Sequence, residues 1–182
     1  MVRHHMPVQS VVFGPDFDPS KAKFNLQTTF ANKPERAMWT STFNPNVRKI
    51  AWIKWNIEED VGMLQSCLYR IVPKPAIKVY EIDTVGDWIN RRLPKIDTPS
   101  RLKQFLFGPI LNAGFIDFEA LKKRGYDGVH VTSNAAALGH NVEIDRKIML
   151  ALNSYDVEST VWFNTTWIDK VELVTDNLAS LL

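Results

Sequence analysis

The stretch "YDVESTVWFN", Tyr155 to Asn164, decides how this chain is read. Val157, Thr160, Val161, Trp162 and Phe163 favour a pleated surface, so the run predicts a β-strand. Asp156 and Glu158 stand at its head, and strand alternation sends both side chains to one face. A carboxylate in that place is either a solvated strand end or a chemical group on a rigid base. Two such acids lie roughly 7 Å apart at Cα, twice the rise per residue. They can divide labour, one holding a substrate hydroxyl and the other accepting a proton.

Outward from this run, "WIDKVELVT" (167–175) predicts another strand after a short Thr-Thr connection. Upstream, "YDGVHVT" (126–132) begins a strand and "SNAAALGHN" (133–141) reads as a flexible loop. "DFEALKKRG" (117–125) predicts a helix, with Asp117 as its cap, Leu121 facing the core and Gly125 as its stop. "CLYRIV" and "AIKVYEID" read as two strands parted by "PKP", and Thr84 opens a short helix in "TVGDWINRRL". "VRKIAWIKWNIEED" (47–60), capped by Asn46, predicts a helix, although Ile50, Trp52 and Lys54 also alternate as in a strand. "RAMWTSTF" (36–43) is a short strand stopped by "NPN", and residues 1–13 end in an apolar "SVVF" that reads as a strand. The segment 94–114, with Pro94, Pro99 and Pro109, reads as a long functional loop with a helical turn.

Strands outnumber helices and gather at both ends of the chain. The expected fold is therefore α+β, a single domain over residues 1–182, with a split, mainly antiparallel β core and a few short helices. A chain of 182 residues buries roughly 70% of its unfolded surface and needs no covalent staple.

Composition removes several function classes. The lone Cys67 excludes an intrachain disulfide and a cysteine zinc cluster, and it fits a reducing cytoplasm. A net charge of +2 is too small to imply nucleic-acid binding by itself. No apolar run reaches membrane-spanning length, and the N-terminus lacks the apolar core of a signal peptide. G-x-G-x-x-G, the P-loop, H-E-x-x-H, G-x-S-x-G and EF-hand patterns are all missing. Four His and one Cys offer no metal-ligand spacing.

Three short pieces carry candidate chemistry. "VRHH" (2–5) is either a frayed basic terminus or a strand whose Arg3 clamps a phosphate. "MWTSTF" (38–43) is either an edge strand or a row of hydroxyls, Thr40, Ser41 and Thr42, that holds a carboxylate or a ribose. "DVE" (156–158) is the acid pair already described. His130, in "YDGVHVT", reads as a structurally satisfied strand histidine, and His140 as a solvent-exposed loop residue.

The order of the three pieces resembles the arginine–serine–glutamate class of ADP-ribosyltransferases, the cholera-toxin-like group. That resemblance implies NAD as co-substrate and a macromolecular acceptor, protein or nucleic acid. It implies that Arg3 supports the NAD phosphates, that Thr40, Ser41 and Thr42 scaffold the site, and that Glu158 holds the nicotinamide ribose. Trp39 would pack against the nicotinamide or shield the cation from water. His4 or His5 is the alternative first-strand residue, by analogy with the diphtheria-toxin-like class. The family has Gln or Glu where this chain has Asp156, at a position that helps select the acceptor. Thr also replaces the first and third Ser of the middle motif, and Arg3 lies very close to the N-terminus. "MWTS", "YDGVHVT" and "YDVESTVWF" further resemble small phage and bacterial proteins, which implies a host cytoplasm as the setting.

Two rival expectations stand beside this. One is a glycoside or nucleoside hydrolase using Asp156 and Glu158, although paired hydrolytic carboxyls normally flank a bond from opposite sides. The other is a non-catalytic binding protein, such as a phage inhibitor of a host factor, anchored by exposed tryptophans.

Overall fold

The computed structural model describes residues 1–29, 31–59, 66–90, 93–96, 115–139 and 155–182. Residues 97–114 of the predicted 94–114 loop, and His140, lie outside the described residues. The strands are β1 Val2–Arg3, β2 Gln9–Phe13, β3 Asn25–Thr28, β4 Pro34–Arg36, β5 Met38–Thr42, β6 Cys67–Pro73, β7 Val79–Ile82, β8 Lys95–Ile96, β9 Phe115–Ile116, β10 Gly128–Val131, β11 Ser159–Trp162 and β12 Ile168–Thr175. The α-helices are α1 Ala51–Glu58, α2 Val85–Ile89, α3 Phe118–Lys123 and α4 Ser133–Gly139.

Eight strands form one sheet in the order β1-β7-β10-β11-β5-β2-β6-β12. All its pairs are antiparallel except β7 with β10. The expected α+β fold with a mainly antiparallel core is what the chain adopts. β3–β4 and β8–β9 are small separate pairs.

The sheet is curled for a reason visible in the chain. The step from Arg3 to Gln9 reaches at most about 21 Å, yet β1 and β2 stand roughly 24 Å apart on a flat sheet of this order. Curling shortens that path, and residues 4–8 cross the concave face. Met6 on that crossing packs with Trp162, Trp167, Val79 and Ile71. The sheet is also split at β5, which pairs with β11 through Met38–Thr40 and with β2 through Ser41 and Thr42.

The convex face carries the helices. Trp39, Val161, Val129 and Ile82 pack there with Trp88, Phe118, Leu121 and Ala135. Under α1, Ile50 and Ile53 meet Leu68 and Val12. Two predicted helix ends are present: Thr84 forms a capping box with Asp87 on α2, and the Asp117 carboxylate accepts from the Ala120 amide at 2.8 Å on α3. Gly125 follows α3 with φ 77°, a left-handed position where Cβ is costly.

Four local expectations change. The run 133–139 is helix rather than loop: the Thr132 hydroxyl accepts from the Ala135 amide at 3.2 Å, and Ala135 and Ala136 are buried in good helical positions. Asn46 makes no side-chain cap bond, because a 3₁₀ turn, Val47–Lys49, intervenes before α1. Within the predicted 94–114 loop, Lys95–Ile96 is a strand, β8, paired with β9. The strand predicted from Tyr155 begins only at Ser159. Among the described residues, no helix is long and apolar enough to cross a membrane.

Candidate active site at the split in the sheet

Where β5 leaves β11 for β2, its ladder bonds need another partner. The Phe43 amide donates to the Val8 carbonyl at 2.8 Å, so alternation turns the Thr42 amide to the β11 side. There it meets a side chain instead of a carbonyl. Thr42 N donates to Glu158 Oε2 at 3.0 Å and Oε1 at 3.3 Å, and the Thr42 hydroxyl donates to Oε1 at 3.1 Å. The split thus creates the vacancy that Glu158 fills, and two donors fix its carboxylate.

Glu158 is only 8% exposed. Burial pushes its pKa up, while the Thr42 bonds and the Arg3 charge pull it back down. His130 stands beside it, with Nδ1 at 2.9 Å from Thr160 Oγ1 and 3.5 Å from Glu158 Oε1. Burial pushes His130 down to about 4, reinforced by Arg3 and opposed by Asp83. The imidazole is therefore neutral at neutral pH, and its approach to Glu158 is a dipole contact rather than an ion pair.

Strand register explains the gathering. Glu81, His130, Thr160 and Thr40 are successive cross-strand partners over β7, β10, β11 and β5, so they share the concave face. Arg3 joins from β1, with its Nε paired to Glu81 Oε2. Thr42 and Glu158 come from remote parts of the chain and meet here, and Arg3, on the same face, acts on both Glu158 and His130 through its charge.

The other expected residues lie differently. Thr40 is on the same face, but its hydroxyl donates to Gln9 Oε1 at 2.7 Å and accepts from Trp162 Nε1 at 2.8 Å. It braces the sheet. Ser41 and Trp39 alternate to the convex face, where Ser10 Oγ donates to the Ser41 carbonyl at 3.0 Å and Trp39 packs on Tyr155. His4 and His5 are exposed. Asp156 does not share a face with Glu158. The two precede β11, Val157 lies in a bend, and strand alternation does not reach them. Asp156 is exposed and its charge acts on Lys33, while Glu158 is buried against Thr42.

Two residues of the site were passed over in sequence, Glu81 and Thr160; His130 was weighed and read as structural. The signal was available: "VYEI" and "GVHV" each set one ionisable residue among apolar strand neighbours. Among the described residues, no group of three or more His, Cys, Asp or Glu could hold a metal ion. Chemically, a carboxylate fixed on a rigid frame beside a cation can hold a hydroxyl and stabilise growing positive charge. Comparison of the chain with protein-family models, curated proteins and solved structures gives no match.

Proposed function

We propose that this protein transfers ADP-ribose from NAD to a macromolecular acceptor, protein or nucleic acid. The observation that carries the reading is the double grip of Thr42 on the buried Glu158 at the split in the sheet, with the charge of Arg3 acting on that carboxylate. Breaking the nicotinamide–ribose bond creates an oxocarbenium-like centre. A carboxylate on the ribose 2′-hydroxyl tightens its hold as that charge grows, which is differential transition-state binding. In this reading Glu158 holds the ribose and Thr42 fixes the rotamer of Glu158. Arg3 offers its exposed side to the NAD phosphates. Asp156, free of the strand, orients the acceptor.

The buried, unpaired Cys67 fits a reducing cytoplasm as the setting. The rivals find less support. For the hydrolase, Asp156 stands in solvent outside the strand while both oxygens of the buried Glu158 are taken up by Thr42. The tryptophans that a binding protein needs as anchors are buried or half-buried: Trp88, Trp162 and Trp167 fully, Trp39, Trp52 and Trp55 in part.

The test is incubation with NAD labelled in the adenylate and a cell lysate. Label in protein or nucleic acid is the expected result. No label in either, with no nicotinamide released, overturns the proposal and favours the binding protein. Free sugar released from a glycoside without NAD favours the hydrolase.

A further inference from the structure

The split at β5 leaves two lengths of strand edge over. Met38, Trp39 and Thr40 pair with β11, whereas Ser41 and Thr42 pair with β2. One leftover edge, at the Thr42 amide, is filled by Glu158. The other lies on the opposite side of β5, beside Trp39. The ladder between β2 and β5 stops at Ser10 and Ser41, although β2 runs on to Phe13 and β5 reaches back to Met38. Val12 and Trp39 are the next opposed residues in that register, and they do not pair. The Phe43 amide donates to the Val8 carbonyl, so alternation turns the main-chain groups of Val12 toward β5 and those of Trp39 toward β2. The two strands part as a fork, with main-chain donors and acceptors on both arms. Among the described residues, no other group bonds to them.

A cavity of about 550 Å³ lies in this fork, bordered by Val12 and Trp39 together with Phe13, Phe17 and Met38. Val12 and Trp39 are half-buried rather than sealed. A bare strand edge is matched by one kind of partner, another extended main chain. The surroundings set its side chains. Phe13 is 53% exposed, with its ring 5.2 Å from that of Phe17, and offers an apolar seat. At the rim Lys21, Lys23 and Arg36 outnumber Asp16 and Asp18. Asp18 is already occupied: its carboxylate accepts from the Ser20 amide and hydroxyl, at 2.9 and 2.7 Å, and faces Lys21. Lys23 and Arg36 are exposed and make no ion pair among the described residues. They remain available to acidic side chains.

We propose that the fork binds an extended segment of a partner protein, apolar and β-branched in its middle and acidic at its flank, which adds as a strand on the main-chain groups of Val12 and Trp39. The apolar side chains sit against Phe13, Phe17 and Met38, and the acids meet Lys23 and Arg36. The site is separate from Glu158 and stands whether or not Glu158 is catalytic.

The experiment selects binders of the full chain from a random heptapeptide library displayed on phage, then titrates the enriched peptide, made synthetically, by calorimetry. The enriched sequences should combine β-branched or apolar residues with aspartate or glutamate. N-methylation of alternate amides in the peptide removes main-chain donors and keeps every side chain. It should weaken binding at least roughly tenfold, the loss of one or more hydrogen bonds. Val12→Pro should do the same from the protein side, because it removes the N–H that faces the fork, while alternation gives the β6 ladder to Gln9, Val11 and Phe13. Lys23→Glu combined with Arg36→Glu changes only exposed side chains, should also weaken the peptide, and serves if Val12→Pro does not fold. Glu158→Gln should bind as wild type does, which separates this site from the transfer chemistry. The proposal is overturned if no sequence or a basic one is enriched, if the N-methylated peptide binds as tightly, if the charge reversal or a folded Val12→Pro binds unchanged, or if Glu158→Gln abolishes binding. Self-association of the chain that Val12→Pro abolishes, with no peptide enriched, overturns it in favour of a second copy in the fork.

Discussion

The Thr42 amide and hydroxyl both grip the Glu158 carboxylate, at 3.0 and 3.1 Å, across a sequence separation of 116 residues. This contact bridges the split in the sheet and holds the acid in one rotamer. Glu158→Gln keeps the shape and one accepting oxygen but removes the charge. Transfer should fall at least roughly 100-fold, the scale of lost transition-state electrostatics. The thermal midpoint should move little. Intact transfer in this variant would remove Glu158 from the chemistry.

Arg3 carries two duties that one substitution confounds. Arg3→Ala should weaken NAD roughly tenfold in calorimetric titration, the worth of one charge-assisted contact. It should also destabilise the fold, because Glu81 is left buried without its cation. Adding Glu81→Gln should restore stability and leave NAD binding weak. Recovery of both would make Arg3 a structural residue alone.

Asp156 sits outside the strand and in solvent, so its removal should spare the framework. Asp156→Ala should reduce label transfer to the acceptor more than it slows NAD cleavage by water. Ribose stabilisation by Glu158 survives in this variant, whereas orientation of the nucleophile is lost. Nicotinamide release and label transfer are measured on the same sample. Equal losses would show that Asp156 supports the whole site.

His130 should make the fold acid-sensitive. Its folded pKa of about 4 lies below the ordinary 6.5, so the unfolded chain binds the proton more readily. The contribution is fully present above pH 6.5 and is lost as pH falls towards 4. The full gap corresponds to roughly 3 kcal/mol. Glu158, shifted up by burial, acts in the opposite direction, favouring the fold as pH falls. The comparison is therefore urea unfolding of wild type and His130→Gln across this range. Glu158 acts in both proteins, so their difference isolates the histidine. A stability difference that does not change with pH would refute the assignment.

Much of the frame was legible because strands announce themselves locally. "MWTST", "CLYRIV" and "GVHV" owe their reading to β-branched and aromatic residues, and Thr84 and Asp117 mark helix starts by their own side chains. Alternation misled at Asp156 and Glu158 because it holds only within a paired strand, and pairing starts at Ser159. The alanine run after Thr132 hid a helix, because its Ser, Asn and Gly flanks suggest a loop. Thr42 was legible as part of a hydroxyl row, yet its grip on Glu158 depends on β5 changing partners. That is a property of topology, which no local window contains.

The place of β11 in the sheet sets an order of events during synthesis. β10 and β5 reach each other only through Ser159–Trp162, which pairs with both. A nascent chain that has passed β10 but not yet β11 can form two incomplete half-sheets, each with a bare edge at the future seam. Such edges invite wrong pairing, and contacts this remote in sequence form slowly. Closure of the seam, and with it the seating of Glu158, requires that Ser159–Trp162 has been synthesised.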